Sequence, residues 1–149
     1  MTQTKPSTAL QHTYLLERLC ASFQVDTLYA FGSRARQAWM WLSGEIAQVP
    51  SGTHDLDIAV KSAEGVQLTI EAKVRLALSL EDLFGVSQVD LVCVSDADPF
   101  LAANIIRGER LYARDPYLAD EYDLYILRRA GDLAPFERER VASILKGGS

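Results

Sequence analysis

A chain of 149 residues has room for one hydrophobic core and is too short for two complete ones. Its content of 48% hydrophobic and 23% charged residues is that of a soluble globular domain, and no window approaches the eighteen or so consecutive apolar residues of a membrane helix. The formal net charge of −5 makes the surface as a whole repel phosphate backbones, which disfavours long nucleic acid as a partner.

In chain order, residues 1–6 read as a frayed tail. The opening "MTQTKPSTALQHTY" lacks the apolar core and cleavage site of a secretory signal, so the expected location is cytoplasmic. Ser7 is the expected N-cap of a helix to about Phe23, because Leu15, Leu19 and Phe23 recur at four-residue spacing. "TLYAF" (27–31) is rich in strand formers and stops at Gly32, which predicts a short buried strand, a turn, and a helix opening at Ser33. A helix over 34–48 spans about 22 Å at 1.5 Å per residue, and "PSGTH" (50–54) is then the returning loop.

"DLDIAV" (55–60) and "VDLVCV" (89–94) read as the second and third strands. Between them, 65–84 is expected to be helical, from its unbroken length, the Glu71–Arg75 spacing and the stop at Gly85. Pro99 opens a short helix to about Arg107, Gly108 breaks it, and "RLYARDP" is a brief extended segment. Helices near 116–130 and 134–146 follow, before a disordered "GGS". The expected fold class is α/β (α+β), with a small sheet of three strands in one domain over 1–149. Cys20 and Cys93 read as buried thiols, not as a disulfide or metal pair.

The chemistry lies in the carboxylates. Asp55 and Asp57 stand at i and i+2 of a strand, so both point to one face. Two such charges are tolerated when one takes a proton or a cation sits between them, and hard oxygen ligands favour Mg²⁺ or Mn²⁺. Asp90, opening a strand expected alongside, can add a third. Singly, each feature is an ordinary turn or strand entry. In order, a strand, a Gly-Ser turn into a helix, a DxD strand and an Asp strand form an arrangement for a nucleoside triphosphate. The amides and hydroxyl after Gly32-Ser33 suit the terminal phosphates, and cations on the aspartates suit the α-phosphate and the leaving pyrophosphate.

"FGSRARQ", "DLDIAV" and "VDLVCV" resemble the GS…DxD…D signature of the DNA polymerase β-type nucleotidyltransferase superfamily, over about residues 27–112. The small size resembles its minimal nucleotidyltransferase (MNT) branch, and "IIRGERLYARDP" is similar to the segment after the third carboxylate there. The resemblance implies a nucleotidyltransferase fold with a core over about 25–112 and C-terminal helices over about 116–146. It implies Gly32 and Ser33 as triphosphate contacts, and Asp55, Asp57 and Asp90 as catalytic ligands of Mg²⁺, with two ions expected and ATP as substrate. Asp90 is the candidate base, and Arg34 and Arg36 are either auxiliary phosphate contacts or solvated helix charges.

Minimal members act as antitoxins that transfer AMP from ATP to tyrosine hydroxyls of a HEPN-type toxin encoded beside them. The function so implied is a Mg²⁺-dependent protein adenylyltransferase acting as antitoxin. Its alternatives are a catalytically impaired antitoxin that neutralises by binding, or an aminoglycoside-type nucleotidyltransferase. Homo-oligomerisation is left open.

Two departures mark this chain. Gln37 stands where the GSxARG turn carries its second glycine, and 21 residues separate Ser33 from Asp55, more than in compact members. Trp39, Met40 and Trp41 in that spacer read either as packing on the domain's own surface or as an aromatic docking face. His54 reads as an exposed neighbour of the site. Tyr112, Tyr117, Tyr122 and Tyr125 read as packing or surface residues, with self-adenylylation as a side activity.

Overall fold

The computed structural model describes residues 4–52 and 54–147, with side chains for residues 8–132 other than residue 53. Its elements are α1 (Thr4–Ser22), β1 (Val25–Phe31), a 3-10 turn (Gly32–Arg34), α2 (Ala35–Leu42), β2 (Leu56–Ser62) and α3 (Ile70–Phe84). There follow β3 (Val89–Cys93), a second 3-10 turn (Val94–Asp96), α4 (Pro99–Ile106), β4 (Glu109–Ala113) and α5 (Pro116–Gly147). The sheet order is β3-β2-β1-β4. β1 is antiparallel to both β2 and β4, while β2 and β3 are parallel, with α3 as their crossover.

Both faces of the sheet are covered, which is why the strands read as nearly unbroken apolar runs. Leu28, Ala30, Ile58 and Val60 face a core completed by Leu16, Trp41, Leu76, Leu80 and Phe84 from α1, α2 and α3. Tyr29 and Ala59, one residue out of step, face the other way onto Ala102 and Ile105 of α4 and Ile126 of α5. Trp41 is fully buried, stacked on His12 with centroids 4.0 Å apart and edge-on to Phe84 at 4.7 Å. Trp39 is 37% exposed and Met40 is half-buried, so the aromatic spacer divides into one core residue and one surface residue.

Several expectations are corrected. The sheet has four strands, because "RLYARDP" contributes β4 against β1. Gly108 permits that pairing: a Cβ there would overlap the carbonyl oxygen of Ala30 and lie 3.1 Å from Cα of Phe31. Gly108→Ala should therefore destabilise the fold by about 2–3 kcal/mol, read as a lower urea midpoint at unchanged slope.

The helix after Gly32 ends at Leu42, not at 48. Gly44 takes the left-handed conformation at φ +82. Its N–H donates to Trp41 O at 3.1 Å and the Glu45 N–H to Met40 O at 2.9 Å, the paired bonds that close a Schellman cap. "SG" at 43–44 was the stop signal, masked by the helix-forming composition of the residues beyond it.

The helix expected over 65–84 starts at Ile70, where the Thr69 side chain caps it by accepting from Ala72 N at 3.0 Å. α1 already runs from Thr4, so Ser7 lies inside it, and the Ser7 side chain falls outside the described ones. Of the expected tails, residues 1–3 and 148–149 lie outside the described residues. The two expected C-terminal helices are one, since Gly131 sits in open space within helix-forming neighbours and does not stop the helix.

Cys20 is buried and Cys93 half-buried, both free. Burial and then the Glu17 charge push the Cys20 thiol up to about 12, which keeps it unreactive. Tyr112 and Tyr122 are half-buried, and Tyr117 and Tyr125 exposed. Among the described residues no helix is long and apolar enough to cross a membrane.

Candidate active site

β1 ends at Phe31, which pairs with Asp57 across the antiparallel ladder. The next residue, Gly32, turns the chain at φ +76, and a Cβ built on it would come within 2.6 Å of Asp57 Oδ2. Only glycine meets both demands, the left-handed turn and the close approach of backbone to carboxylate. From there the chain enters the 3-10 turn and α2, neither of which has a side-chain cap at its N-terminus. That first turn lies beside Asp57 through Gly32, its Ser33 is exposed, and the Ala35 N–H donates to Gly32 O.

β2 and β3 run parallel with Asp57 in register with Asp90. Neighbouring strands lie about 4.8 Å apart and in-register residues share a face, so the two carboxyls abut. Asp57 is accordingly held above the usual carboxylate range. Burial contributes most, then the charges of Asp90 and Asp55, then a hydrogen bond with Asp90 that favours the protonated form, with His54 opposing.

Asp55 is placed differently from the expectation. β2 begins at Leu56, whose partner is Val89, so Asp55 lies just ahead of the first paired residue and is exposed. Strand geometry alone does not hold it beside Asp57. Among the described residues no group of three His, Cys, Asp or Glu side chains is drawn close enough to hold a metal ion. Asp57 and Asp90 form the tight pair, and Asp55 acts on Asp57 as the more weakly felt charge.

The two arginines diverge. Arg36 is exposed on α2. Arg34 is only 8% exposed and forms no ion pair among the described residues. Its Nε donates to Gln37 Oε1 at 3.0 Å, its Nη1 to the carbonyl of His54 at 3.1 Å, and its Nη2 to the carbonyl of Pro50. The expected phosphate contact is thus engaged in holding the spacer, and His54 contributes its backbone while its side chain is exposed. Nothing in the order of residues marked the hold of Arg34 on the spacer, because the acceptors there are backbone carbonyls sixteen and twenty positions away.

A second polar group missed by pattern reading lies between β1, β4 and α5. Buried Tyr29 donates to Asp123 at 2.6 Å, and Arg110 reaches Asp123 and Asp120, each at 2.9 Å. Burial and the Asp123 hydrogen bond raise the Tyr29 hydroxyl, so it stays protonated and ties α5 to the sheet. A cavity of about 420 Å³ lies at the far ends of β2 and β3, lined by Lys61, Lys73, Cys93, Ser95 and Tyr122, and includes none of the residues above.

The family described as "Polymerase beta, Nucleotidyltransferase" matches residues 15–117, a span containing the Gly-Ser turn and all three aspartates. No curated protein matches the sequence. Among solved structures, the chain is similar to a chain of a toxin–antitoxin with AMP-PNP, at 18% identity and a TM-score of 0.65, covering 89% of this chain and 98% of the other. It is also similar to one from the tri-AMPylated Shewanella oneidensis HEPN toxin in complex with its MNT antitoxin, at 17% identity and a TM-score of 0.62, covering 92% and 98%. A third likeness is to a chain of the toxin–antitoxin MntA–HepT, at 16% identity and a TM-score of 0.62, covering 91% and 98%. At such identities these likenesses speak for the fold. With the family's match spanning the strand, turn and carboxylate positions described above, the chain belongs to the polymerase β-type nucleotidyltransferases.

Proposed function

We propose that this protein is a Mg²⁺-dependent nucleotidyltransferase that transfers AMP from ATP to a tyrosine hydroxyl of a HEPN-type toxin, and so acts as the toxin's antitoxin. The observation that carries the reading is the Asp57–Asp90 pair, in register on parallel strands and pressed against the Gly32 turn. The toxin as acceptor is supported by the solved relatives, which include a tri-AMPylated HEPN toxin with its MNT antitoxin.

The donor set fits a divalent cation. Asp57 is raised partly by the charges of Asp90 and Asp55, a repulsion that a cation among them would relieve, and carboxylate oxygens are the ligands hard cations prefer. Bound there, Mg²⁺ supplies charge neutralisation at the α-phosphate and at the departing pyrophosphate. The chain's own residues do the rest. The amides after Gly32 and the Ser33 hydroxyl bind the β- and γ-phosphates at the start of the helix. Asp90 accepts the proton of the acceptor hydroxyl as its oxygen attacks the α-phosphorus. One O–P bond forms, the bond from the α-phosphorus to the bridging oxygen breaks, and pyrophosphate leaves.

Incubation with α-labelled ATP, Mg²⁺ and the toxin encoded beside this gene should label the toxin, and no label on the true partner would refute the activity. A second reading, an antitoxin that neutralises by contact, is favoured by the exposed position of Asp55 outside β2. It requires that Asp55→Ala and Asp57→Ala leave toxin neutralisation intact. Neutralisation lost in these variants, with toxin binding unchanged, excludes it.

A further inference from the structure

We infer that Arg34 and Gln37 form a latch that ties the carbonyls of Pro50 and His54 to the start of α2 and thereby fixes where Asp55 enters the site; the Asp55 part rests on the reading just proposed. The bonds define the latch. A buried guanidinium must find acceptors for its donors, and Arg34 finds them at Gln37 in the first turn of α2 and at the carbonyls of Pro50 and His54. Those carbonyls bracket the five-residue loop at its two ends, and the residue after the second is Asp55.

Gly52, in the middle of the loop, lies against the guanidinium plane. A Cβ there would meet Cζ at 3.2 Å and Nε at 3.3 Å, a contact that asks the guanidinium to give by a few tenths of an ångström. The spacer's earlier part is anchored independently, by buried Val49, whose N–H donates to Phe84 O at 3.0 Å. Release of Arg34 thus frees only the last stretch before β2. Because Asp55 lies ahead of the first paired residue of that strand, the latch does for Asp55 what the ladder does for Asp57. Arg34 and Gln37 are therefore positioning residues.

The test uses the full chain, first without nucleotide or metal. In Arg34→Ala, backbone amide order parameters at 51, 52, 54 and 55 should fall from the rigid range to below about 0.6 while those of β1, β2 and β3 stay at about 0.85. Gln37→Glu, which preserves an acceptor for Nε, should keep the wild-type pattern. Should Arg34→Ala fail to fold, Arg34→Met carries the same test, since it keeps the packed stem and removes every donor. Mn²⁺ titration followed by electron paramagnetic resonance should then show affinity about tenfold weaker in the unlatched variant.

Unchanged order parameters at these positions in the variant that folds overturn the latch. Lowered order parameters with unchanged Mn²⁺ affinity overturn the positioning of Asp55. A wild-type chain that shows the latch and binds Mn²⁺ but labels no acceptor refutes the proposed transfer and leaves the latch standing.

Discussion

Replacing Asp57 by Asn is expected to lower nucleotidyl transfer by about a thousandfold or more, and at the same time to stabilise the metal-free protein at neutral pH. The first effect follows from removing one of two in-register carboxylates at the centre of the site. The second follows from the raised ionisation of Asp57, owed to burial and to the charges of Asp90 and Asp55. A raised value means that the folded chain holds the proton more tightly than the unfolded chain, so ionised Asp57 works against folding. The penalty is full above the folded-state value, fades as pH falls through it, and is gone below the ordinary value of 3.8.

Thermal melts should show Asp57→Asn above wild type at pH 7, with the two curves converging as the solution is acidified. Mg²⁺ should raise the wild-type midpoint more than that of the variant. An Asp57→Asn protein less stable than wild type without metal would mean that the carboxylate serves the fold, and would remove the main support for a cation site.

Gly32→Ala is expected to damage both stability and activity, by two separable routes. The backbone at φ +76 disfavours any side chain by about 1–2 kcal/mol. Independently, the added methyl would lie 2.6 Å from Asp57 Oδ2, so either the turn or the carboxylate must move. On the proposed function, displacing the turn or the carboxylate by about 1 Å should lower the rate about a hundredfold. A double-mutant cycle with Asp57→Ala separates the routes by denaturant titration. Removal of the carboxylate should recover the steric part and leave the backbone part, so the two changes should be less than additive. Full additivity would show that Gly32 and Asp57 do not press on one another.

Much of the site was legible because its parts are local. A glycine after a strand, carboxylates at i and i+2, and an acidic residue opening a later strand are all short-range patterns, and the polypeptide order Gly32-Ser33, Asp55-x-Asp57, Asp90 is enough to suggest a triphosphate site. The register that brings Asp57 against Asp90 was legible only in outline, since strand pairing is decided by which face each run buries. Even Gly44, a local signal, was overread as helix because the composition on either side favours helix.

The sequence by itself determined the class of the fold, the strand-turn-helix unit at Gly32, and the identity of the charged groups, because each depends on local propensity and periodicity. Only the tertiary structure decided that β4 completes the sheet, that the Asp57 and Asp90 carboxyls abut while Asp55 stands ahead of its strand, and that Arg34 grips the spacer. Those outcomes rest on hydrogen bonds and close approaches between residues far apart in the chain, such as Arg34 with His54 and Gly108 with Ala30. Backbone carbonyls are the same at every position, so a cation that chooses them leaves no mark in the order of residues until the chain has folded around it.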